Sequence, residues 1–123
     1  MNRLERTGAG VVLIVDDVPE NLALLHDALD EAGYTVLVAT NGESALARAR
    51  QSVPDVILLD AMMPGIDGFE VARRLKSRAP RRPRIIAITG HSGDDYRRRS
   101  LAAGCEQHLI KPVDPETLLR LLE

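Results

Sequence analysis

Val56-Ile57-Leu58-Leu59-Asp60 is a run of four aliphatic residues that ends in a carboxylate. An uninterrupted apolar run of this length, rich in branched side chains, reads as a strand buried on both faces. That is the pattern of a parallel sheet covered by helices. The aspartate at its carboxyl end is held rigidly just outside the core, where open α/β sheets place ligands and chemistry. Ala61-Met62-Met63-Pro64-Gly65-Ile66-Asp67-Gly68 follows, with Pro and Gly where the backbone must turn. Asp60 is therefore the residue around which a site would be built.

The same pattern recurs on either side of this strand. Val11-Val12-Leu13-Ile14-Val15 runs into Asp16 and Asp17, Ile85-Ile86-Ala87-Ile88 ends at Thr89, and Gln107 to Ile110 ends at Lys111-Pro112. Tyr34 to Ala39 reads as a further strand. Pro19 suits the first turn of a helix, where its missing N–H costs nothing. Leu22, Leu25, Leu29 and Ala32 then recur at helical spacing before Gly33. Asn41-Gly42 reads as a turn, and Ala45, Leu46 and Ala49 as a short helix. Gly68 to about Lys76 is helical with Val71, Ala72 and Leu75 inward. Asp94 to Ala103 is a short polar helix ended by Gly104, and a closing helix with Leu118, Leu119, Leu121 and Leu122 starts near Pro115. Ser77 to Arg84 is a basic loop in which Pro80 and Pro83 forbid regular structure. A β-α unit repeated five times predicts an α/β domain with a five-stranded parallel sheet and helices on both faces. Residues 11–123 form that domain and residues 1–10 an N-terminal tail.

Composition narrows the function. The 123 residues are 45% hydrophobic but only 2% aromatic, so Leu, Val, Ile and Ala must build the core. A net charge of -2 gives no general attraction to nucleic acid or anionic membrane. Cys105 is the single cysteine, which excludes an internal disulfide framework and fits packing as a small hydrophobe. No apolar run approaches the roughly 20 residues of a membrane span, and residues 1–10 lack the apolar centre of a secretory signal. The expectation is a cytoplasmic domain with no membrane and no direct nucleic-acid partner. His26, His91 and His108 fit no zinc spacing. Arg81-Arg82 and Arg97-Arg98-Arg99 read as solvated faces, with a docking surface for an acidic partner as the alternative.

In a parallel sheet the carboxyl ends of all strands share one edge, and that edge collects Asp16, Asp17, Asp60, Thr89 and Lys111. Three neighbouring carboxylates repel one another unless a cation joins them. Hard oxygen donors with few protein ligands suit Mg²⁺. A carboxylate beside Mg²⁺ is a competent nucleophile toward a phosphoryl group, and a metal, an ammonium and a hydroxyl can neutralise its equatorial oxygens. Taken singly these residues have structural explanations: an acid after a strand often caps a helix, and Asp17 suits that role. Five together on one edge point to a site.

Asp16-Asp17, Asp60 with Met63-Pro64-Gly65 and Asp67-Gly68, Thr89, and Lys111-Pro112 together resemble the receiver domain of two-component response regulators, over about Val11 to Glu123. The resemblance implies a flavodoxin-like sheet of order 2-1-3-4-5. It implies that Asp60 accepts a phosphoryl group from a sensor histidine kinase or phosphotransfer protein, in a Mg²⁺-dependent reaction. Such a domain catalyses its own phosphorylation and dephosphorylation without being a turnover enzyme. Asp16 and Asp17 would serve the metal site, with Asp17, Asp60 and the Met62 backbone carbonyl as direct ligands. Thr89 and Lys111 would contact the phosphoryl group, and the Lys111-Pro112 bond would be cis. Thr89 would move on phosphorylation and alter the face made by the fourth helix, fifth strand and fifth helix, for reading by an output domain or effector. By the same resemblance Met62 and His91 would tune water access to the phosphoaspartate. The chain departs from the family at His108, where a Tyr or Phe switch residue usually stands. His108 is either a partial substitute for that switch or a surface ring. A haloacid-dehalogenase-type phosphatase fits less well, because Met62 stands where that family needs its second Asp. A degenerate receiver that docks partners without phosphorylation is the alternative. The oligomeric state expected is monomer or weak dimer.

Overall fold

The computed structural model describes residues 10–61, 68–78, 83–90 and 94–122. Strands and helices alternate throughout: β1 (Val11–Val15), α1 (Pro19–Glu31), β2 (Thr35–Ala39), α2 (Gly42–Ser52), β3 (Val56–Asp60), α3 (Gly68–Arg78), β4 (Arg84–Thr89), α4 (Asp94–Ala102), β5 (Gln107–Ile110) and α5 (Pro115–Leu122). All strand pairs are parallel, and the sheet order is β2-β1-β3-β4-β5. This is the flavodoxin-like order the sequence led us to expect, with β3 central and β5 at an edge.

Side chains alternate across each strand, so the sheet sorts its residues into two cores. Leu13, Ile57, Leu59, Ile85 and Ala87 face one way and pack with Leu46 of α2, Val71 and Leu75 of α3, and Cys105. Val12, Ile14, Leu58, Ile86 and Ile88 face the other way and pack with Leu25 and Leu29 of α1 and Leu118 and Leu122 of α5. Each fully buried aliphatic side chain contributes roughly 1.5–3 kcal/mol. Burial also pushes the Cys105 thiol up to about 11, so it behaves as a small hydrophobe.

Local signals set the element ends. Gly33 and Gly104 take φ of 98° after α1 and α4, a conformation in which a Cβ would clash. Gly68 opens α3 against the backbone that leaves β3: an added Cβ would lie 2.6 Å from Ala61 Cα. Asn41 is not simply part of a turn. It caps α2, its Oδ1 accepting the Ser44 N–H at 2.8 Å. Asp17 does not cap α1. The residue before that helix is Val18, which offers no side-chain cap. Nearer α4, the Arg99 guanidinium lies 4.5 Å from the Phe69 ring centroid and 5.7 Å from that of Tyr96, tying α4 to the start of α3.

Candidate functional site

Four strand ends build the site. Asp16 follows β1, Asp60 ends β3, Thr89 ends β4 and Lys111 follows β5. Parallel pairing holds these ends level: Asp60 stands opposite Ile88 in the β3–β4 register, and Ala61 N–H donates to the Ile88 carbonyl at 3.0 Å. Lys111 N–H donates to the Thr89 carbonyl at 2.8 Å, which fixes the root of the lysine beside the threonine. Thr89 itself is fully buried. The Lys111–Pro112 peptide is cis.

The two aspartates after β1 have different surroundings. Asp16 is buried, and its Oδ1 accepts the Val18 N–H at 2.9 Å while its Oδ2 accepts from Asn21 Nδ2 at 3.3 Å. Asp17 is exposed. Asp16, Asp17 and Asp60 can each present one oxygen such that all three lie within 4.8 Å of one another. The Lys111 ammonium is 3.1 Å from Asp60 Oδ2 and 3.3 Å from Asp16 Oδ2. Partial burial pulls the lysine pKa down, but the hydrogen bond and charge of Asp60, and then the charge of Asp16, outweigh it. The ammonium is held above its ordinary range.

Among the described residues the Lys111 ammonium stands against the carboxylates of Asp16, Asp17 and Asp60, a set that carries more negative than positive charge. A small divalent cation with hard oxygen ligands is the partner this donor set fits. Met62, whose backbone carbonyl was expected to add a ligand, lies outside the described residues, as do Met63-Pro64-Gly65, Asp67, His91 and Arg81-Arg82.

His108 stands opposite Ala87 in the β4–β5 register and so shares the face that carries α4. The ring is half-buried, and its Nε2 is buried with no hydrogen-bond partner among the described residues. Burial, then the charge of Arg97, lowers its pKa. Reading the sequence alone did not single out Asn21. It lies five residues after Asp16, on the first turn of α1, and only the folded helix brings its amide to that carboxylate. A cavity of about 320 Å³ opens beside this pair, lined by Leu24, Leu25, Ile88, Lys111 and Val113 among others.

The sequence profile of the family described as response regulator receiver domain matches residues 12–123. Protein PilH of Pseudomonas aeruginosa is 38% identical over 112 residues, which cover 90% of this chain and 93% of PilH. Response regulator PleD of Caulobacter vibrioides is 42% identical over 104 residues, covering 84% of this chain but only 23% of PleD. The chain thus spans about a quarter of that relative. Among solved structures, chemotaxis response regulator CheY4 of Vibrio cholerae superposes with a TM-score of 0.85 at 33% identity, covering 92% of this chain and 95% of CheY4.

Proposed function

The chain belongs to the response regulator receiver domain family of two-component systems, and on that premise we propose that Asp60 is its phosphoryl acceptor. The donor is the phosphohistidine of a sensor histidine kinase or phosphotransfer protein. A carboxylate oxygen of Asp60 attacks phosphorus, the P–N bond of the donor breaks, and the imidazole leaves with the bonding pair. The product is an acyl phosphate on Asp60. The single observation that carries this reading is the placement of the buried Asp60 carboxylate: it ends β3, clusters with Asp16 and Asp17, and takes the Lys111 ammonium at 3.1 Å.

The surrounding residues have distinct roles in this reading. Lys111 turns from Asp60 Oδ2 to the incoming phosphoryl oxygens, and the Thr89 hydroxyl donates to another of them. Asp17, Asp60 and the Met62 carbonyl would hold Mg²⁺, with Asp16 shaping the site from its bonds to Val18 and Asn21. When bound, the ion supplies charge neutralisation for the phosphoryl oxygens. The cavity lined by Leu24, Leu25 and Val113 reaches Lys111 and gives the donor an approach from the α1 side. Thr89 and His108 form the switch: drawing Thr89 toward the phosphoryl group alters the α4–β5–α5 face that an output domain or effector reads. The setting is cytoplasmic. Among the described residues no helix is long and apolar enough to cross a membrane.

The test is phosphorylation by acetyl phosphate, followed by intact mass. Wild type should gain one phosphoryl group with Mg²⁺ and none with EDTA, and Asp60→Asn should gain none in either. An undiminished gain in Asp60→Asn would sink the assignment.

A further inference from the structure

Charge is divided unevenly between the two helical layers. α1 carries Glu20, Asp27, Asp30 and Glu31, all exposed, and no lysine or arginine. It packs with α5 on one side of the sheet. α2 and α3 pack on the other side, and there Arg48, Arg50, Arg73 and Arg74 are exposed. Glu70 takes both Arg73 and Arg74 at 3.0 Å, so one carboxylate answers two guanidinium groups. Among the described residues Arg48 and Arg50 form no ion pair. The sheet lies between the two faces. At physiological ionic strength the Debye length is about 8 Å, so each face acts on its own, and the overall charge of -2 describes neither.

Each charged face also holds an exposed aliphatic side chain. Glu20, Leu24, Asp27 and Glu31 fall at helical spacing on one stripe of α1, and Leu24 is 57% exposed. Val53 follows α2 and is 45% exposed. Its φ of 46° is a left-handed backbone, which a β-branched residue enters only under strain. Glycine or asparagine would hold that position more easily. A strained valine left largely in water is poorly accounted for by the fold alone, and its side chain points to a contact outside it.

We infer that copies of this chain associate head to tail, with the acidic α1 stripe of one copy seated on the basic α2–α3 face of the next. Charge complementarity selects this partner: the carboxylates of one copy meet the guanidinium groups of its neighbour, and Leu24 meets Val53. A two-fold contact through either face would set like charge against like, which opposes it. The two faces lie on opposite sides of one sheet, so repeating the contact extends a line and does not close a ring. Leu24 also lines the cavity beside Asp16 and Asn21, so the neighbour sits at the rim of the phosphorylation site. Nucleic acid or anionic lipid would use the arginines alone, and would leave the acidic stripe and its exposed leucine unexplained. The contact needs no phosphoryl group and stands apart from the receiver reading.

Sedimentation velocity of the whole chain over a range of concentrations tests this. At about 10 mM salt, where the Debye length is about 30 Å, the average mass should rise with concentration and pass the dimer. About 1 M salt, with a Debye length of about 3 Å, should return it to monomer. Arg48→Glu/Arg50→Glu reverses the basic face, and Glu20→Lys/Asp27→Lys/Glu31→Lys reverses the acidic stripe. Each variant alone should stay monomeric with the dispersed amide spectrum of a folded domain, and mixing the two should restore association, because each then offers the charge the other lacks. Val53→Asn, which suits a left-handed backbone, should keep the stability of the domain and lower the association constant about fivefold or more. Association of either charge variant alone to the wild-type degree, no recovery on mixing, an end point at the dimer, or unchanged association in Val53→Asn would each overturn the proposal. So would a wild type that stays monomeric in low salt, and binding of duplex DNA or phosphatidylserine vesicles by that monomer would assign the basic face to a polyanion instead. Phosphorylation of Asp60 is measured separately, so failure of one reading is not failure of the other.

Discussion

Replacing Lys111 with methionine removes an ammonium that the structure sets between two buried carboxylates. Its ammonium is 3.1 Å from Asp60 and 3.3 Å from Asp16, whose side chains are 5% and 6% exposed. At such distances each attraction is roughly 5 kcal/mol for an effective dielectric near 20, before desolvation is subtracted. Breaking a fully buried pair costs about 3–5 kcal/mol, and an exposed one about 0.2–1 kcal/mol. The lysine is 27% exposed, which puts Lys111→Met between these limits, at about 2–3 kcal/mol of lost stability without metal. The same change removes a positive charge that competes with a cation for Asp16 and Asp60. Mg²⁺ should therefore bind about tenfold tighter, or ~1.4 kcal/mol, and offset part of the loss. Urea unfolding in EDTA and in excess Mg²⁺, for wild type and variant, reads both effects. An equal loss in the two buffers would mean that the lysine acts through packing of its stem. No loss in EDTA would refute the electrostatic account altogether.

Two further predictions concern pH. Arg84 holds both carboxylate oxygens of Glu106, at 2.7–3.2 Å, and also donates to the Leu121 carbonyl at 3.0 Å, so it joins β4, the start of β5 and the end of α5. That hydrogen bond lowers the Glu106 pKa below 4.5, so its stabilisation is present at neutral pH and fades as pH falls through the lowered value. Arg84→Ala should cost about 1 kcal/mol at pH 7, given the exposure of the pair, and less at acid pH; calorimetry across that range checks it. His108 works in the same direction through a different group. Its pKa is depressed from 6.5 by burial and by Arg97, so the unfolded chain takes up the proton first and stability falls as pH drops below 6.5. His108→Phe should remove that slope in urea unfolding between pH 7.5 and pH 5, and an unchanged slope would assign it to other groups.

Much of this fold was legible because two simple patterns dominate the chain. Unbroken aliphatic runs such as Val11-Val12-Leu13-Ile14-Val15 and Val56-Ile57-Leu58-Leu59 read as strands covered on both faces, and the helical spacing of Leu25 and Leu29, or Val71 and Leu75, supplies the cover. Once every strand is parallel, their carboxyl ends must share an edge, so the grouping of Asp16, Asp17, Asp60, Thr89 and Lys111 follows from order alone. Short-range signals were less secure, because one residue type serves several ends: Asn41 could make a turn or a cap, and Asp17 could cap a helix that begins without a side-chain cap.

What the sequence by itself determined is the alternation of strands and helices in a parallel sheet and the set of residues at the carboxyl edge of that sheet. What only the tertiary structure decided is how those residues divide their work. Adjacent aspartates look alike in the chain. Side-chain direction alternates where β1 ends, so Asp16 turns inward to Val18, Asn21 and Lys111 while Asp17 stays in water. The half-buried setting of His108 comes from α4 packing over the face it shares with Ala87. Arg84 meets the Leu121 carbonyl across 37 positions of sequence. Contacts of this kind join residues that no local pattern relates, and they exist only after the sheet and its helices have closed.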